Sequence, residues 1–190
     1  MDNGIVMTIS SIMTGIGMTL SSMGTTVVDL ADHRAASPEA LVARARSLVP
    51  LLIKNAPQAE KDRRATEESI QAISDAGLFR LMVPKRYGGY ESSIRTHLDV
   101  SAELAEGCGG SAWVAALSNV CAWFTGLFEV RAQDEVWGAN PLARVAGVFA
   151  PSANCERMSG GLNISGKWYW SSGCLHADWA VLGEIGRAHV

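Results

Sequence analysis

The apolar positions of this chain change their period near residue 141, and that change organises everything else. Upstream the spacing is helical. Ser37-Pro38-Glu39 reads as a helix start, with an N-cap serine, a proline at the first helical position and an acid near the positive end of the dipole. The helix runs on through "ALVARARSLVPLLIKNAPQAEKDRR", where Pro50 and Pro57 are expected to kink or divide it because each removes a backbone donor. Thr66 caps a second helix carrying Ile70, Ile73 and Ala76 on one face, and Gly77 ends it. "GLFRLMVPKRYGGYE" is an apolar turn segment punctuated by Pro84 and Gly88-Gly89. A third helix is predicted over about residues 94–105, with Ile94, Leu98 and Leu104 as its inner stripe.

Residues 109–128, "GGSAWVAALSNVCAWFTGLF", carry no charge. The length permits a membrane span, but Ser118-Asn119 at the centre and the lack of flanking positive charge favour a buried central helix. Helix character ends at Asn140-Pro141. Beyond it "ARVAGVFA" reads as a strand, "ERMSGGLNISGKWYW" as two strands joined at Ser159-Gly160-Gly161, and "DWAVLG" as another. Helices first and strands afterwards predict an α+β protein with two segregated layers. The expected division is a leader over 1–36, a helical domain over 37–141, a partial β-domain over 142–183 and a tail over 184–190.

Composition adds limits. At 190 residues, with 48% hydrophobic and 18% charged residues, the chain has enough apolar surface for a good core. A net charge of −3 and scattered arginines give no basic field for nucleic acid or anionic lipid. Cys108, Cys121, Cys155 and Cys174 form no Cys-x-x-Cys pair, so reduced thiols in a cytoplasm are expected, with no metal site. Asp75, Glu103, Glu106, Asp134 and Glu135 read as solvated helix faces rather than a catalytic carboxylate pair. The first thirty residues lack lysine and arginine, and Ser, Thr and Gly interrupt each apolar run. A disordered leader, or an extension upstream of a start near Met23, is expected rather than a secretory signal. The final "EIGRAHV" back-translates to a string resembling a sequencing adapter, so a non-native tail and a gene cut short near Gly183 are expected.

The chemistry gathers in residues 166–179, "GKWYWSSGCLHADW". Alternate aromatics suggest a strand, and Ser171-Ser172-Gly173 suggests a place where something large and flat meets the backbone. Taken together and in this order, "GLFRLMVPKRYGGYE", "GGSAWV", "AQDEVWG" and this stretch resemble the acyl-CoA dehydrogenase superfamily over residues 38–183. They are most similar to the oxygenase components of two-component flavin-dependent monooxygenases, which hydroxylate phenols and steroid-derived phenols. The resemblance implies a helical N-terminal domain, a β-barrel-like middle domain and a C-terminal four-helix bundle that this chain lacks. It also implies a homotetramer with flavin between the β-domain and the bundle. Dehydrogenases carry Thr-Glu-Pro and a Gly-Ser-Asp loop where this chain has Phe149-Ala150-Pro151-Ser152, and that departure favours the monooxygenase branch.

By the same resemblance, Trp170 packs on the isoalloxazine and Ser172 meets its N5, with Ser171, Phe149 and Ser152 also beside the cofactor. Trp168, Trp170 and Trp113 would exclude water, which an oxygen-reacting flavin requires. Simple sheet packing is the alternative for these aromatics. His176 matches a family histidine that could orient a phenolate or act as a base, against the reading of a loop histidine satisfied by backbone. Trp113 and Cys121 fall at the substrate pocket, although Cys121 on an apolar helix also fits core packing. The implied activity uses reduced FMN or FAD from a flavin reductase, plus O₂, to hydroxylate an aromatic or polycyclic substrate, with this stretch inactive alone. The alternatives are an acyl-CoA dehydrogenase oxidising a thioester at Cα–Cβ, and a non-catalytic helical fragment.

Overall fold

Where Ser37 leaves the extended conformation, its Oγ accepts a hydrogen bond from the Ala40 amide at 3.2 Å and the first helix begins. The computed structural model describes residues 4–10, 36–150, 153–158 and 161–183. Its helices are α1 (Pro38–Asp62), α2 (Glu67–Asp75), α3 (Ile94–Gly107), α4 (Gly109–Thr125) and α5 (Val130–Trp137). Its strands are β1 (Gly4–Ser10), β2 (Val145–Val148), β3 (Ala153–Met158), β4 (Gly161–Tyr169) and β5 (Trp179–Leu182). Beyond β1 the helices come first, ending at Trp137, and the remaining strands begin at Val145, on either side of the change of period.

Two helix expectations need correction. Pro50 and Pro57 do not divide α1, which runs unbroken through both. They stand seven residues apart on the same exposed face, so the carbonyls they leave without an N–H partner open to water. The opposite face buries Leu41, Ala45 and Leu52. In α3 the inner stripe is rotated: Ile94 and Leu98 are more than half exposed, while His97, Val100 and Leu104 are buried. Gly107 sets this phase. A Cβ there would come within 2.6 Å of Leu52 Cβ, so the His97–Val100–Leu104–Gly107 side must face α1.

The uncharged segment forms α4, the central helix, and no helix among the described residues is long and apolar enough to cross a membrane. Its internal amide has a structural reason. Asn119 is buried; its Nδ2 donates to the carbonyls of Leu78 (2.8 Å) and Ala115 (2.9 Å), and its Oδ1 accepts from the Met82 amide (3.3 Å). This one side chain satisfies backbone groups of the turn segment between α2 and α3, which have no ladder of their own. That segment folds back tightly, with Gly89 so close to Val83 that any Cβ would overlap its carbonyl.

The main core lies among α1–α4; a second, around Val83, Cys121, Ala122, Trp137, Ala143 and Val145, joins α4 and α5 to the strands. Strands β2 and β5 pair in parallel, Val145 opposite Trp179 and Val148 opposite Leu182. They lie so close on α4 that a Cβ on Gly147 would meet Val181 O at 2.8 Å and Cys121 Sγ at 2.9 Å. Strands β3 and β4 form the expected antiparallel pair, and β1 adds to the other edge of β4. Within the expected leader, residues 4–10, rich in Ile, Val and Thr, pair here as a strand. Residues 11–35 and the expected tail at 184–190 lie outside the described residues.

Candidate functional site

Strand β4 ends at Tyr169, and the next residue turns the chain sharply. Trp168 completes the strand's inward pattern: it is fully buried, and its Nε1 donates to Gly183 O at 3.3 Å. Alternation would bury Trp170 on the same side. Instead Trp170 adopts φ +60° and its side chain is 83% exposed. A bulky aromatic in the left-handed region is a steric outlier of the kind that clusters at functional sites. The paired aromatics of "WYW" therefore divide, one into packing and one outward.

The turn that follows is tied to α4. The Ser172 amide donates to Trp170 O at 2.6 Å, and the Ser172 hydroxyl donates to the same carbonyl at 3.3 Å. Trp113 Nε1 donates to Ser172 Oγ at 3.2 Å. Gly173, at φ +82°, sits where a Cβ would press on Val114 Cγ1 at 3.1 Å. Ser171 is buried and its Oγ has no hydrogen-bond partner. The sequence stretch and α4, about sixty residues apart, thus meet at Trp113, Val114, Ser172 and Gly173.

An apolar face opens beside this turn. Trp113 and Trp170 are mostly exposed, and Trp123, Leu127, Phe128 and Phe149 are substantially so. Phe124 joins two of them, its ring 4.5 Å from that of Phe149 and 4.9 Å from that of Trp123. Exposed aromatic clusters of this kind mark binding faces. Two indoles stand at the turn, and the Ser172 hydroxyl is oriented by a bond from the Trp113 indole and a bond to the Trp170 carbonyl.

The other expected site residues fall differently. Cys121 does not reach open space: it is buried in the second core against Gly147, and desolvation pushes its thiol up to about 11. Its side chain cannot line a substrate pocket, because β2 covers it. Ser152 lies outside the described residues. His176 is buried behind the turn rather than on the open face, with Nδ1 3.4 Å from Glu67 Oε1 at the start of α2. Burial holds its pKa below 6.5, opposed by the Glu67 carboxylate and the Ala65 backbone and assisted by Arg64 and Arg144. Its Nε2 has no hydrogen-bond partner.

Sequence reasoning missed Glu67, Ser118, Val114 and Arg144. Ser118, Val114 and Arg144 line, with Phe79, Ser172 and His176, a small cavity of about 10 Å³ between turn and helices. Ser118 had a signal, as half of the polar pair inside an apolar helix. Glu67 and Arg144 had none, being ordinary charges brought to the turn only by the fold.

Comparison with known proteins agrees with this fold. The family model for the acyl-CoA dehydrogenase N-terminal domain matches residues 35–137. Among curated relatives, the oxygenase subunit HsaA of a flavin-dependent monooxygenase from Rhodococcus jostii (strain RHA1) is 36% identical over 140 residues, covering 74% of this chain and 37% of that protein. The oxygenase component of p-hydroxyphenylacetate 3-hydroxylase from Acinetobacter baumannii is 34% identical over 143 residues, 75% of this chain and 34% of its own. The chain therefore spans little more than a third of these relatives' length. The crystal structure of 3-HSA hydroxylase from Rhodococcus sp. RHA1 superposes with a TM-score of 0.74 at 35% identity, over 76% of this chain and 37% of that one. XiaF from Streptomyces sp., in complex with FADH2 and glycerol, superposes with a TM-score of 0.74 at 32% identity, over 81% and 38%. With more than half of its residues matched and the fold in agreement, the chain belongs to the acyl-CoA dehydrogenase family and contains that family's N-terminal domain.

Proposed function

We propose that the chain serves in the oxygenase component of a two-component flavin-dependent monooxygenase. That protein takes reduced FMN or FAD from a separate flavin reductase in the cytoplasm, acts as a homo-oligomer, and hydroxylates an aromatic or polycyclic substrate. The observation that carries this reading is the outward, left-handed Trp170 beside a Ser172 hydroxyl that Trp113 holds in place. When bound, the flavin supplies the oxygen chemistry. Trp170 and Trp113 offer faces for stacking and keep water from the ring. Ser172 presents its hydroxyl to the ring's N5, and the two bonds to Trp113 and Trp170 limit its rotation. Phe149 continues the apolar wall and Ser171 supports the turn from below. His176 acts from behind the turn.

The names of the relatives support this branch over a dehydrogenase, since the oxygenase components named above are what the chain resembles over three quarters of its length. The test supplies the protein with NADH, a flavin reductase, ¹⁸O₂ and a panel of phenols. One ¹⁸O in the product is expected. Oxidation of an acyl-CoA thioester coupled to dye reduction, with no label in any phenol, would establish the dehydrogenase instead.

A further inference from the structure

Behind the turn, three observations line up. Glu67 is exposed on one side, where with Gln58, Asp62 and Arg64 it borders an open groove of about 600 Å³. On the other side its Oε1 meets Nδ1 of His176, a residue more than nine-tenths buried. His176 and Ser172 both line the cavity of about 10 Å³, together with Ser118 and Arg144, and the unpartnered Nε2 belongs to this buried ring. A cavity of that size takes one water when polar groups surround it, and these side chains supply them.

We propose that this cavity holds a single water, and that Glu67, His176 and the water form a proton path between the surface groove and the Ser172 hydroxyl. The path rests on the flavin-site reading for its purpose, but not for its existence. An imidazole with its proton on Nδ1 donates to the Glu67 carboxylate and leaves Nε2 as an acceptor for the water. The charge balance is simple. Ser172 Oγ receives a proton from a reacting group and passes its own to the water. The water passes one to Nε2, and the imidazolium returns its Nδ1 proton to Glu67, from which it leaves to solvent. One proton moves outward, Ser172, the water and Glu67 regain their starting states, and the imidazole is left with its proton on Nε2; a turn of the ring returns that proton to the Glu67 side before the next transfer. Arg64, paired with Glu67, and Arg144, at the cavity wall, are the cations that face this path; both disfavour a lasting imidazolium, so the charge on His176 is transient.

The test uses the whole chain with ¹⁵N-labelled histidine. NMR should show the neutral Nδ1–H tautomer of His176 and a long-lived water in contact with its ring protons. The Nε2–H tautomer, or a ring with no bound water, overturns the proposal. Neither readout needs flavin, so their failure is distinct from failure of the ¹⁸O assay. In the reductase-coupled reaction Glu67→Gln should lower kcat at least tenfold with the KM for flavin unchanged, whereas an unchanged kcat also overturns the path. Glu67→Asp, which keeps the carboxylate, should recover part of the loss.

Discussion

Trp168 and Trp170 are the same residue type two positions apart, and the structure assigns them opposite roles. Replacing Trp168, fully buried with its indole N–H bonded to Gly183 O, should cost about 3–5 kcal/mol as Trp168→Ala, the range for large aromatics removed from a core. Trp170→Gly is a different calculation. With 83% of the side chain exposed, about a sixth of a tryptophan's ~250 Å² is covered, or ~40 Å², worth ~1 kcal/mol at ~25 cal/mol per Å². Against that loss stands relief of the left-handed backbone, about 1–2 kcal/mol for a residue with a Cβ. Glycine's extra freedom in the unfolded chain takes back about 0.5–1 kcal/mol. The sum is near zero, so Trp170→Gly should unfold within about 1 kcal/mol of the parent while losing an aromatic face of the site. Urea unfolding followed by circular dichroism, with slopes compared to confirm equal exposure, measures both variants. A Trp170→Gly cost above about 2 kcal/mol would show that Trp170 is a packing residue and that its conformation stores no strain.

Other expectations follow from the same geometry. Trp113→Phe removes the donor to Ser172 Oγ, a bond worth about 0.5–1.5 kcal/mol. The yield of hydroxylated product per NADH should fall, with hydrogen peroxide rising, by up to about tenfold; unchanged coupling would show that the bond does not position the hydroxyl. Gly147→Ala forces a methyl group against Val181 O and Cys121 Sγ and should cost about 1–3 kcal/mol, with Cys121→Ala in the same chain restoring part of it in thermal melts. Cys121, buried and with its thiol raised to about 11, should resist alkylation at pH 8 in the native protein while the half-buried Cys108 and Cys174 react, as peptide mapping would show. His97 and His176 are both held below 6.5 by burial. The unfolded chain therefore binds more protons as pH falls past 6.5, and stability should be full above that value and decline below it. A urea midpoint that stays flat from pH 7 to pH 5 would contradict this.

Much of the fold was legible because its signals are local. Ser37 and Thr66 as caps, Gly77 as a left-handed stop and the switch to strands after residue 141 depend on a few neighbouring residues. The phase of α3 was not legible. Ile94 and Leu98 look like an inner stripe, but the close approach of Gly107 to Leu52, on a helix far earlier in the chain, turns His97 and Val100 inward instead. Pro50 and Pro57 misled for a related reason: a proline's cost in a helix depends on whether the freed carbonyl reaches water, which only the packed structure shows. At the site, the aromatic and small-residue pattern pointed to the turn. Its outward indole, its tie to Trp113 and the Glu67–His176 contact arise from residues separated by sixty to over one hundred positions, beyond the reach of any motif.

The parallel pairing of β2 with β5 has a topological consequence. It clamps both ends of residues 149–178, so the chain leaves and returns to one two-stranded frame around the hairpin. Lengthening such a closed loop twofold adds only about 0.6 kcal/mol of closure entropy. A longer β3–β4 turn would therefore leave the frame intact, and Asp178, whose carboxylate accepts from the Arg144 amide at 2.8 Å, anchors the return of the chain to it.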